Sequence, residues 1–80
     1  MMKNRFIAVI EYDPKTKLYI GIVPGLTGAH TQAKSLDELR KNLKEVIELC
    51  LEEIDDKDRK SLPDFIGTQE IEVNKWAEYR

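Results

Sequence analysis

The feature that most constrains this chain is a single apolar stripe of helical spacing. Leu36, Leu39, Leu43, Val46, Ile47, Cys50, Leu51 and Ile54 recur three and four residues apart, which places them on one face of an α-helix. Ser35 introduces the stripe, with Glu38 three residues later. This is a capping box: the serine oxygen accepts from the Glu38 amide, and the glutamate can reach back to the Ser35 amide. Asp37 and Glu38 also suit the positive end of the helix dipole. The pattern predicts a helix from Leu36 to Ile54, about 19 residues and roughly 28 Å long. Its outer face carries Arg40, Lys41 and Lys44 early and Glu48, Glu52 and Glu53 late. Late acidic residues oppose the dipole, so the last turn is expected to fray. A one-sided helix of this length needs a second layer to cover its stripe.

The residues before it supply that layer. Arg5 to Tyr12 alternates Phe6, Ala8, Ile10 and Tyr12 against Ile7, Val9 and Glu11, predicting a strand that is apolar on both faces and therefore central. A polar turn, Asp13-Pro14-Lys15-Thr16-Lys17, leads to a second strand over Leu18 to Val23. The connection is short, so the two strands form an antiparallel hairpin. Pro24-Gly25 ends the second strand, and Gly25 and Gly28 permit tight turns with positive φ. A brief third strand is expected over Ala29 to Ala33. After the helix, Asp55 to Lys60 has no apolar residue and reads as a solvated connector. Leu62-Pro63-Asp64-Phe65-Ile66-Gly67 is a turn with apolar anchors. Glu70 to Asn74, with Ile71 and Val73 inward, is expected to return as a last strand parallel to the first.

The expected fold is thus α+β, β-β-β-α-β, with a small mixed sheet and one helix packed on one face. One helix covers one face, so the other is left apolar and uncovered, an arrangement that marks an association surface. Eighty residues make a single domain, with 41% hydrophobic and 35% charged residues, a globular rather than a disordered balance. The net charge of −2 and the pI near 5.4 give no basic footprint for non-specific nucleic-acid binding. Cys50 is the only cysteine, so neither an internal disulfide nor a cysteine-based zinc site is expected. No apolar run approaches the roughly 20 residues needed to span a bilayer, and a cytoplasmic location is expected.

The hairpin, then Val23-Pro24-Gly25-Leu26-Thr27-Gly28-Ala29-His30-Thr31-Gln32-Ala33-Lys34-Ser35-Leu36-Asp37-Glu38-Leu39, the helix, and the Leu62-Pro63 turn together resemble the HicB-like antitoxins. The resemblance covers roughly residues 4 to 75, and its most specific part is Val23 to Leu39. It implies a partial ribonuclease H-like fold without an active site, and a protein that binds and neutralises a small RNA-degrading toxin of the HicA type. Ala29 stands where the family often has cysteine. Longer family members carry a C-terminal DNA-binding domain. The few residues after the expected last strand cannot form one, so no direct DNA binding is expected.

Other chemistries fit less well. Glu11, Asp13 and Glu48 could be assembled into a metal-binding carboxylate group of the ribonuclease H kind, but Glu48 belongs to the polar helix face, and exposed acidic residues are usually solvated. His30 could act near neutral pH, yet no neighbouring nucleophile or orienting carboxylate accompanies it. Cys50 sits on the apolar stripe and reads as a small hydrophobe. Gly25-Leu26-Thr27-Gly28 lacks the Gly-Lys-Ser/Thr ending of a phosphate loop. Lys34, Arg40, Lys41 and Lys44 form a modest basic patch without interleaved aromatics, better read as a solvated helix face. No catalytic residue, metal or cofactor is expected. The candidate partner contacts are Tyr19, Gly21, His30 and Trp76, and the expected partners are a small HicA-like toxin and further copies of the chain, associating through the sheet. The alternative function is that of a stand-alone oligomeric domain binding a nucleic acid or a small ligand, with no cognate toxin.

Overall fold

The computed structural model describes residues 4–74. Its elements, in order, are β1 (Val9–Asp13), β2 (Leu18–Ile22), β3 (His30–Ala33), α1 (Leu36–Glu53) and α2 (Asp56–Lys60). The fold is α+β, a three-stranded sheet followed by one long helix. The sheet runs β1-β2-β3 and both pairings are antiparallel.

Two local devices build the sheet. Between β1 and β2, the Asp13 carboxylate accepts from the Lys15 amide at 2.9 Å and the Thr16 hydroxyl at 3.1 Å. Lys17 closes the turn in the left-handed region at φ 62° and donates its amide to the Asp13 carbonyl at 2.7 Å. Between β2 and β3, the Val23 amide donates to the Ala29 carbonyl at 2.9 Å, and the Ala29 amide donates to the Leu26 carbonyl at 3.0 Å. Gly25 and Gly28, at φ 85° and 86°, turn the chain where a side chain would be strained. Leu26 points inward between them and is buried.

The serine half of the α1 capping box forms. Ser35 is extended, and its hydroxyl oxygen accepts from the Glu38 amide at 3.1 Å. Leu39 and Leu43 are buried against Val23, Leu26, Ala29 and Ala33, which together make the core. Tyr19, Val46, Ile47, Cys50, Leu51 and Leu62 pack around it. The helix lies over β3 and β2 rather than over β1. Leu36, the first residue of the stripe, is half exposed at the helix start.

Three expectations need correction. Asp55 to Lys60 is not a plain connector: Asp55 accepts from the Asp58 amide at 3.0 Å and caps α2. Acidic Asp56 and Asp58 stand at its start and Lys57, Arg59 and Lys60 at its end, the order that the helix dipole favours. The ladder of β1 begins at Val9 rather than Arg5, and β1 is an edge strand with β2 in the centre. The reason is the third correction. Glu70 to Asn74 forms no strand, so no parallel partner lies beside β1, and the sheet of the described residues is antiparallel rather than mixed. Ile71 and Val73 are 71% and 61% exposed instead of inward.

Candidate functional site

Strand alternation sorts the sheet into two unlike faces. Val23 and Ala33 are buried in the core, and a Cβ at Gly21 would lie 2.8 Å from Leu43 Cδ1. The odd-numbered residues of β2 and β3 therefore face α1. The even-numbered ones, and the odd-numbered ones of β1, face the other way. Register aligns them in rows across that open face: Val9 beside Ile22 and His30, then Glu11 beside Ile20 and Gln32. Ile7 extends the apolar area at one end and Leu18 at the other. Ile7 is 50% and Ile22 43% exposed, whereas Val9, Leu18 and Ile20 are half-buried. Among the described residues no helix covers this face. It is an apolar strip flanked by Glu11, His30 and Gln32.

A second apolar surface lies on the helix side, because α1 sits over β3 and β2. Phe6, Ala8 and Ile10 form one wall of a groove of about 760 Å³, and Leu36, Leu39, Leu43, Ile47 and Leu51 form the other. Its rim is charged, with Arg40, Lys44, Glu48 and Arg59. The Arg59 Nε is buried and has no hydrogen-bond acceptor among the described residues. A smaller pocket of about 300 Å³ marks the corner where Leu62 to Phe65 meet Arg5 to Ile7 and the Val23–Leu26 turn.

The candidate contacts do not make one patch. His30 is exposed on the open face. Tyr19 lies on the helix side, half-buried, with its ring 5.0 Å from that of Tyr12. Gly21 is buried beneath Leu43, so its place is structural: it lets the helix approach the sheet. Trp76 lies outside the described residues. The residues that the candidate set missed are Ile20 and Ile22, whose alternation with Tyr19 and Gly21 was the available signal.

The carboxylates considered for metal binding are not brought together. Glu11 lies on the open face, Glu48 on the groove rim on the opposite side of the sheet, and Asp13 is engaged in its own turn. No group of three or more His, Cys, Asp or Glu side chains suited to a metal ion occurs among the described residues. The Cys50 thiol donates to the Thr27 carbonyl at 3.7 Å, linking α1 to the glycine turn. The Val23–Leu39 segment is thus a structural corner, and the surfaces it leaves free are apolar. No helix among the described residues is long and apolar enough to cross a membrane.

Relatives place this architecture. A UPF0150 protein of Thermotoga maritima is 52% identical over 72 residues, covering 90% of this chain and 93% of the relative. The chain belongs to the UPF0150 family. A further UPF0150 protein, from Synechocystis, is 45% identical over 73 residues, 91% of this chain and all of that protein. One from Archaeoglobus fulgidus is 49% identical over 71 residues, 86% of this chain and 94% of that protein. No family model and no solved structure matches the sequence.

Proposed function

We propose that this UPF0150 member is an antitoxin-like protein of the cytoplasm, which binds a small RNA-degrading toxin of the HicA type and neutralises it by steric occlusion. The observation that carries this reading is the uncovered apolar strip of Ile7, Val9, Ile20 and Ile22 on the open face of the sheet. A strip of this kind in a small chain suits a protein partner. The Val23–Leu39 segment supports the same reading through its resemblance to the HicB-like antitoxins. A toxin that grips RNA needs basic surface for the phosphates, and a chain of net charge −2 is a suitable counterpart. Binding needs no chemistry from this chain. Its His30, Cys50 and carboxylates then serve as surface or packing groups.

The test is coexpression with a small basic protein encoded beside this chain's own reading frame. The expected result is growth arrest by the neighbour alone, relief by this chain, and a complex that copurifies and no longer cleaves RNA. Unrelieved arrest, or free RNA cleavage in the presence of saturating chain, counts against the reading. The stand-alone oligomeric domain, without a toxin, would then take its place.

A further inference from the structure

The chain carries an unpaired strand edge and an unpaired strand-like segment, and its own geometry keeps them apart. Among the described residues β1 is hydrogen-bonded on one side only, by β2. Beneath that edge runs the groove between Phe6, Ala8 and Ile10 on one wall and Leu39, Leu43 and Ile47 on the other. Residues 65–74 belong to no helix or strand, are exposed throughout, and join no ladder. Ile66 is 96% exposed, and an ideal Cβ at Gly67 would meet nothing within 4 Å. The segment therefore leaves its own body after Phe65, which still lines the corner pocket with Arg5, Phe6 and Ile7. Its departure is visible in the dimensions. The radius of gyration is 15.5 Å, against about 12 Å for a compact domain of this length. The longest extent is 46 Å, against roughly 27 Å for the helix α1.

We infer that residues 66–74 add as a strand to the β1 edge of a second copy of this chain, reciprocally, giving a two-fold dimer by strand exchange. Each feature supplies what the other lacks. A strand beside β1 pairs the open backbone groups of Val9–Asp13. Ile71 and Val73 share one parity, so they enter the groove together, while Glu70 and Glu72 stay on the solvent side. Exchange of an identical element between copies adds no new surface type and closes on itself, so it yields a dimer rather than a fibre. This inference does not rest on the toxin reading, and it uses the β1 edge and the groove rather than the open face.

The experiment measures assembly of the full chain by sedimentation velocity and native mass spectrometry at micromolar concentration. The wild type is expected to be a dimer, and Ile71→Asp/Val73→Asp, which alters exposed positions only, a monomer with unchanged helicity. Ile10→Asp, on the receiving edge, is likewise expected to be a monomer. Mixing these two monomeric variants restores one tail in one intact groove, so a heterodimer is expected. A monomeric wild type overturns the inference. So does a dimer that survives the tail substitutions, or a mixture without heterodimer, since a tail folded onto its own β1 cannot complement in trans.

Discussion

Gly21 and Leu43 meet across the sheet–helix interface with no space between them. A Cβ at position 21 would stand 2.8 Å from Leu43 Cδ1 and 3.1 Å from its Cδ2. Overpacking of this kind costs about 1–3 kcal/mol, offset in part by the roughly 0.5–1 kcal/mol that alanine gains over glycine in a strand. Gly21→Ala is therefore expected to destabilise by about 1–2 kcal/mol in urea melts. The same substitution in a Leu43→Val background is expected to cost less, because the shortened side chain vacates the contested space. Simple additivity would show that the two residues do not share it. Lys17 presents the reverse case. It holds φ 62° without being glycine, a conformation that costs an L-residue about 1–2 kcal/mol. Lys17→Gly should raise Tm by about 4 °C once the added freedom of the unfolded chain is subtracted. An unchanged or lower Tm would show that the turn relies on the lysine side chain.

At the scale of elements, the two capped helices respond differently. α1 buries Leu39 and Leu43 in the core, so loss of its cap acts on the whole domain. Ser35→Ala is expected to cost about 1 kcal/mol of global stability. α2 buries none of its residues. Asp55→Ala should leave global unfolding within about 0.5 kcal/mol of wild type and instead speed amide exchange locally over residues 56–60, a contrast that hydrogen exchange with a parallel denaturant melt resolves. The same difference decided what could be read from the sequence. α1 was legible because its cap, stripe and dipole all agree, and β1 to β3 because each alternates between clear turns. α2 has no apolar periodicity, although Asp55 and the acidic-to-basic order of the residues after it were a usable signal. The Glu70–Asn74 alternation predicts a paired strand, and the segment forms none. Alternation reports which side chains share a face, whereas a ladder needs a partner edge, and the sequence does not say where that edge lies.

The described residues of the molecule present two apolar surfaces on opposite sides of one thin sheet, and they need not serve the same partner. The open face was foreseeable in the sequence: one helix cannot cover both sides of strands that are apolar on both. The groove was not, because its existence depends on α1 lying over β3 and β2 and leaving Phe6, Ala8 and Ile10 beside an empty edge. Separate surfaces imply separable defects. Ile22 is 43% exposed in the end row of the open face, opposite Val9 and His30, and a charge there is solvated in the free protein but is left unpaired under a partner. Ile22→Lys is therefore expected to abolish relief of toxin-induced arrest while sedimenting as the wild type does. Ile71→Asp/Val73→Asp is expected to change sedimentation while keeping at least part of the neutralising activity, since the open face of each copy stays intact. If each variant instead lost both properties together, the two faces would be acting as one interface, with toxin bound across the dimer rather than on a single sheet.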